Sequence, residues 1–421
     1  MSALPPHDDL LVLGLGAPHD DLVAAACRLF AAGARSAGPL DTAAEARGRE
    51  ALPRGACAPL LFTTGALLRA AAERAPLDET AAGPTAPAPL AVLSLGSCGP
   101  CRYALFEMAW QRALVTEGRS PIRVVGPVNS GASLHAWLDT LLGARLLEAI
   151  AAADALVLSR NRALPRAKHA AEVEHALAAA TAQVCAATAA GAAPLAALAS
   201  ARAWERGVRA GTARVIARVR LIGDPWSVHA NGDGQLCLPS VLAPLGVEVM
   251  APPALLWLRY SLWLGRGEPW GREAPVTPAQ SAALAALDAR VVATWKSACA
   301  ALDLEPTELP DPAWLAQLAA PFLPPTLRGG YGHVEIGLAR DAVLASSAHA
   351  VISVKSFGCM PSSGVSDAII GAALEDALPF LPLEVCPDGH AARESRLALL
   401  AAEALRRATR GPDRFRERPP S

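Results

Sequence analysis

Two cysteine loops hold the residues best suited to chemistry. Cys98 and Cys101 stand in Gly96-Ser97-Cys98-Gly99-Pro100-Cys101, and Cys359 stands far downstream in Lys355-Ser356-Phe357-Gly358-Cys359-Met360-Pro361-Ser362-Ser363. A Cys-x-x-Cys pair at the start of a helix is biased toward thiolate, whatever its use. Four uses are open: iron–sulfur ligation, dithiol exchange, zinc binding and plain structure. For a cluster, the spacing lets two thiolates reach two irons from one turn, and the remaining ligands come from elsewhere in the chain. Dithiol exchange fits a Cys-Gly-Pro-Cys that follows a strand, but no Trp precedes the pair, the surroundings do not read as one small domain, and an exchanger has no use for a second loop. A structural zinc more usually shows two paired knuckles, and Cys359 is a singleton. A cluster is therefore the first expectation.

The elements that must position these loops follow from hydrophobic periodicity. Ala91-Val92-Leu93-Ser94-Leu95 is a short buried-strand pattern, and helical spacing runs from Tyr103 to Val115, so the Cys98/Cys101 loop sits at a strand's carboxyl end and a helix's amino end. Ala350-Val351-Ile352-Ser353-Val354 is a strand leading into the Cys359 loop, followed by a helix from Val365 to Leu374, a strand at Phe380–Val385 and a last helix to Ala408. Further strands are expected at Leu10–Gly14, Ile122–Gly126, Val215–Asp224 and Val247–Val249, and helices at Asp20–Ala34 and Leu60–Ala72. Leu156-Val157-Leu158 reads as another apolar segment, a loop is expected from Trp226 to Gln235, and Pro and Gly cluster as a surface loop between Pro76 and Pro89.

Alternating strands and helices imply parallel sheets, which bind ligands at the carboxyl ends of their strands. The expected fold is α/β: two Rossmann or flavodoxin-like domains facing a central cleft, with an Ala-rich helical connection. The N-terminal domain is expected over 1–160, the connector over 161–212, the C-terminal domain over 213–408 and a disordered tail over 409–421. Two such domains would bring Cys98, Cys101 and Cys359 together across the cleft.

At 421 residues the chain has room for two cores. Its formal net charge is -1, with basic and acidic residues interspersed, so no footprint for nucleic acid or an anionic membrane is visible. The Ala176–Ala201 stretch has transmembrane length, but Gln183, Gly191, Pro194 and its alanines fit helix packed on helix. The start of the chain lacks the pattern of an export signal, so a cytoplasmic protein is expected, and nine cysteines in that setting argue against a disulfide framework and for thiols used in metal or redox chemistry. Cys27, Cys185 and Cys299 fall in Ala-rich helical patterns and are expected to be buried small hydrophobes.

The Gly-Ser-Cys-Gly-Pro-Cys-Arg and Lys-x-Phe-Gly-Cys-Met-Pro-Ser motifs resemble those of the 2-hydroxyacyl-CoA dehydratase activase-related proteins, grouped with 2-hydroxyacyl-CoA dehydratase and benzoyl-CoA reductase subunits. The resemblance takes in Cys57-Ala58-Pro59, Arg162-Ala163-Leu164-Pro165, Gly223-Asp224-Pro225-Trp226 and Glu394-Ser395-Arg396-Leu397, in order along most of the chain. It implies a [4Fe-4S] cluster on Cys57, Cys98, Cys101 and Cys359, low-potential electrons from a separate ATP-hydrolysing activator, a related dehydratase subunit as partner and an acyl-CoA thioester as substrate. No Walker-type phosphate loop is visible here. Three positions depart from the family pattern: Leu52 stands where relatives have a second cysteine, Ser356 where they have Pro, and Cys386 where they tend to have an acidic residue. Cys237 and Cys386 leave a larger iron–sulfur cluster open.

Other polar residues give weaker signals. His333 and Glu335, after Gly329-Gly330-Tyr331-Gly332, form a candidate catalytic acid/base pair in a cleft loop. Lys355 reads either as a counter-charge to a cluster or as a surface lysine, and Ser362, Ser363 and Asp367 read as helix caps. The alternatives to an electron-transferring or dehydrating protein are a non-catalytic cluster-bearing scaffold and a cytosolic dithiol oxidoreductase using Cys98 and Cys101.

Overall fold

The computed structural model describes residues 9–73, 90–94, 101–119, 121–126, 136–201, 216–267, 276–305, 308–327, 330–360, 362, 366–386 and 392–410. The loop expected at Pro76–Pro89, Cys98 with its neighbours, the end of the connector and the tail beyond Arg410 lie outside them.

Among the described residues, eight strands form two four-stranded parallel sheets. Leu10–Val12 (β1), Arg35–Ser36 (β2), Ala91–Leu93 (β3) and Arg123–Val125 (β4) run in the order β2-β1-β3-β4. Ala217–Gly223 (β5), Val247–Met250 (β6), Ala350–Ser356 (β7) and Phe380–Val385 (β8) repeat it as β6-β5-β7-β8. In each sheet the chain first moves to one side and then crosses back, so the order reverses between β1 and β3 and again between β5 and β7. Ligands of doubly wound folds sit at that reversal, beyond the carboxyl ends of the strands.

The described helices are His19–Cys27 (α1), Thr42–Ala51 (α2), Ala58–Ala72 (α3), Phe106–Thr116 (α4), Leu141–Ala163 (α5), Ala170–Ala189 (α6), Pro194–Ser200 (α7), Pro225–His229 (α8), Leu238–Leu242 (α9), Ala254–Arg266 (α10), Pro278–Ala301 (α11), Pro312–Ala319 (α12), Gly332–Leu344 (α13), Asp367–Leu374 (α14) and Arg393–Arg410 (α15). The Leu156-Val157-Leu158 segment lies within α5, and Ala149, Ala151, Ala152, Ala153 and Ala155 around it are fully buried, because alanine lets helices approach closely. Residues 161–201 of the expected connector are thus one part of a larger helical layer. It begins at Leu141 and takes in α10 and α11, which the chain inserts between β6 and β7. Thr409 and Arg410, expected in a disordered tail, are the last turn of α15, whose Leu397, Leu400, Ala401 and Ala404 face the core at helical spacing.

Local chemistry sets the ends of the helices near the cysteines. Asp41 caps α2 by accepting the Ala44 N–H at 2.8 Å, and Cys57 is the N-cap residue of α3, with Pro59 in its first turn. The two helices then touch backbone to backbone. A Cβ added at Gly65 would lie 1.7 Å from the Ala44 carbonyl oxygen, and one at Gly48 would lie 1.9 Å from that of Leu61. This contact fixes the start of α3, and with it Cys57. Gly65→Ala should cost about 3 kcal/mol or more in urea unfolding, since the clash is with backbone. Gly371→Ala, at an exposed helical glycine with open space around it, should instead stabilise by up to about 1 kcal/mol.

Candidate cysteine-bearing site

The loops at the two reversal points face one another. After β1, the Asp20 carboxylate accepts the N–H groups of Gly14, Leu15 and Gly16 at 2.9, 3.1 and 2.9 Å, curling Gly14–Gly16 into a tight turn. After β5, Asp224 caps α8 by accepting the Trp226 and Ser227 N–H groups, each at 3.1 Å. The loop expected from Trp226 to Gln235 is therefore a short helix at its start. Trp226 Nε1 donates to the Gly14 carbonyl at 2.7 Å and Asn231 Nδ2 to that of Ala17 at 3.1 Å, joining the β5 loop to the β1 loop. The Trp226 ring also tilts against Phe62 of α3, with centroids 5.3 Å apart.

The cysteine loops meet beside this junction. Cys57 is buried at the start of α3, and the Ala58 N–H donates to the Phe357 carbonyl at 3.3 Å. Cys101 is exposed and opens the helical turn Arg102–Leu105, its Sγ accepting the Tyr103 N–H at 3.5 Å. Arg102 spans both neighbours: Nη1 donates to the Gly55 carbonyl at 3.0 Å and Nη2 to the Gly358 carbonyl. Gly358 has φ +73°, and a Cβ there would stand 3.7 Å from the Cys57 α-carbon and 2.7 Å from Arg102 Nη2, so glycine is what lets the loops close together. One guanidinium thus clips the Cys57 and Cys359 loops to the residue that follows Cys101. Cys98 lies outside the described residues.

The electrostatics of the thiols follow from burial. Burial pushes the Cys57 thiol up, against the pull of the Leu60 amide and the Arg102 guanidinium, while Cys101 and Asp224 add to the rise. Burial, with Asp224 and Glu335 nearby, pushes Cys359 up to about 12, opposed by the N–H and O–H of Ser362. Metal-free, these two thiols are therefore protonated at neutral pH. An all-thiol donor set suits iron–sulfur or zinc chemistry. Among the described residues no three His, Cys, Asp or Glu side chains are grouped closely enough to hold a metal ion.

Beneath Cys359 lies a buried charged network. All seven residues of β7 are buried, including Ser353, Lys355 and Ser356, and such polar groups must find partners in the interior. Lys355 Nζ lies 2.7 Å from Asp367 Oδ1 and 3.1 Å from Glu335 Oε2, and donates to the Ser362 carbonyl at 3.0 Å. The Ser362 hydroxyl meets Glu335 Oε1, and Ser353 donates to Asp367 at 2.9 Å. Lys355 is thus no surface lysine. Asp367 and Ser362 are not the helix caps they resemble either: the N-cap residue of α14 is Ser366, and both side chains serve the network instead. Lys355→Met should destabilise the chain by about 3–5 kcal/mol in urea unfolding, because two carboxylates lose their counter-charge. Adding Glu335→Gln in the same chain should recover part of that loss, as coupling in a double-mutant cycle.

His333 and Glu335 occupy the first turn of α13, not a cleft loop, and both are fully buried. His333 Nε2 donates to the Pro324 carbonyl at 3.0 Å, which leaves Nδ1 to accept from the Tyr260 hydroxyl at 3.1 Å. Glu335 faces Lys355 and Ser362, so the two residues serve different partners. Cys237 lies half-buried at the start of α9, its Sγ 3.5 Å from Asp233 Oδ1 and its thiol pushed up to about 11 by burial. Cys386 follows β8, Cys27 and Cys299 are buried, and Cys185 is partly buried against the core. Sequence reading missed the clip made by Arg102 and the network under Cys359. A lysine inside an otherwise apolar strand run was the available signal for the second. Among the described residues no helix is long and apolar enough to cross a membrane. The chain matches no protein-family model and no curated protein.

Proposed function

We propose that this chain is a cytoplasmic iron–sulfur protein that holds a [4Fe-4S] cluster on Cys57, Cys98, Cys101 and Cys359. The observation that carries the reading is the convergence of the Cys57, Cys101 and Cys359 loops at two facing strand-order reversals, clipped by Arg102. Resemblance in the cysteine motifs supports the same ligand set. The chain's work is then electron transfer, or reductive dehydration of an acyl-CoA, with electrons supplied by a separate ATP-hydrolysing activator and a related dehydratase subunit as further partner. A bound cluster supplies one-electron reducing power, tuned by hydrogen bonds to its sulfurs and by solvent exposure.

The chain's own residues supply the setting. Arg102 places positive charge beside Cys57, and Ser362, held by Lys355 and Glu335, directs its donors at Cys359. Asp224 contributes a buried carboxylate, held by backbone and hydroxyl donors, whose charge adds to the rise of the Cys57 and Cys359 thiols.

Anaerobically purified wild-type chain should contain iron and acid-labile sulfide in equal amounts, about four of each as for one cubane. Cys359→Ala should lose both while keeping its helical circular dichroism. A chain that stays colourless after anaerobic reconstitution would sink the reading. A reversible Cys98–Cys101 disulfide that survives in Cys359→Ala, detected by mass, would make it a dithiol protein.

A further inference from the structure

A second polar site lies away from the cysteines, between the end of α8 and the start of α10. It is a cavity of about 40 Å³ lined by His19, Asp154, Asn161, His229, Asn231 and Trp295, with apolar side chains and prolines between them. That volume admits roughly two or three waters, or one molecule of about three or four non-hydrogen atoms.

The polar groups around it are unevenly satisfied. Asp154 accepts the N–H groups of Ala254 and Leu255 at 2.8 and 3.0 Å, the free amides at the start of α10. His19 Nε2 lies 2.9 Å from the same carboxylate and donates to it, which leaves Nδ1 for another partner. His19 is 3% exposed, yet its Nδ1 has no partner, and His229 is 6% exposed with an unpartnered Nε2. Burial pushes His229 down to about 4, so its ring is neutral at pH 7. A buried polar atom left unpaired is costly, and here the residues that carry two of them line one small cavity.

We propose that this cavity is a binding site for one small uncharged compound bearing N–H or O–H, of the size of a simple amide or alcohol, which donates to His19 Nδ1. His229 Nε2 supplies the second polar contact, and Trp295 with the prolines packs the carbon part. Among the described residues no lysine or arginine lines the cavity, so an anion of the same shape gains no ion pair there. Asp154 acts as a positioning residue that fixes the His19 ring through Nε2. The site stands whether or not the cysteines hold a cluster.

Formamide and formate are near-isosteric probes that differ in charge. In the full-length chain labelled with ¹⁵N-histidine, formamide should shift the His19 and His229 ring resonances saturably, with formate binding at least about ten-fold more weakly. His19→Phe should remove the saturable shift of His229. Shifts that grow linearly without saturation, or equal binding of formate, would overturn the proposal and leave a water-filled cavity. The comparison of the two probes on wild-type protein decides this even if the His19→Phe chain does not fold.

Discussion

Asp224 brings a carboxylate to a position only 4% exposed, and the geometry around the cysteines passes through it. A buried charge is costly unless hydrogen bonds replace its water. Here Oδ1 accepts from the Trp226 and Ser227 amides and, at 3.2 Å, from the Ser356 hydroxyl, while Oδ2 accepts from the Ser356 amide at 2.6 Å. The first two donors are the unpaired amides of a helix start, and the others belong to the last residue of β7. One group therefore caps a helix and ends a strand. Ser227 and Ser356 close the arrangement with a hydroxyl pair at 2.9 Å.

The consequences run outward in two directions. Capping α8 aims Trp226 at Gly14 and Phe62, which sets the second half of the chain against the first. Ending β7 at Ser356 sets where the turn Phe357–Cys359 begins, and hence where Arg102 and Ala58 find their carbonyl partners. The lysine network adds a constraint of a different kind. An apolar residue would fill the Lys355 position of β7 without the cost of burying an ammonium, but it would leave the Ser362 carbonyl without that donor and two carboxylates facing each other. Through the bonds to Ser362 the network ties one arrangement of the Cys359 loop to α13 and β7.

How much of this was legible in the sequence depends on the range of the interaction. The strands that lead into both cysteine loops are short apolar runs, a local pattern, and both four-stranded sheets are built around them. Strand β2 is two residues long and carries Arg35 and Ser36, so no periodicity marks it. Helix α2 was hidden for a similar reason: its face toward α3 is built of Ala44 and Gly48, residues too small to read as hydrophobic. Around the site, the cysteines are conspicuous by type, but their clip is an arginine bonded to carbonyls 47 and 256 positions away. Such bonds to backbone leave no trace in side-chain chemistry. His333 and Glu335 show the opposite error, because polar residues after a glycine-rich segment look exposed until the tertiary structure buries them.

The repeated strand order explains why the site draws on both halves. A doubly wound sheet has one reversal where its loops diverge, and a half with this topology offers one such mouth. Facing two mouths doubles the number of loops that reach a common point without lengthening any of them. The halves are not equivalent in what they bring. The first places Cys57 and Cys101 there and satisfies its own buried carboxylate, Asp20, with the amides of a single turn. The second brings Cys359, and its buried carboxylate reaches across from β5 to β7. Any group ligated by thiols from both would bridge them. The halves do not depend on that bridge for contact, since one apolar cluster already runs from Leu11 and Val92 of the first sheet to Leu221 and Val354 of the second. Ligation would therefore tighten an interface that burial has already formed, and losing the group would release the Cys359 loop before it separated the sheets.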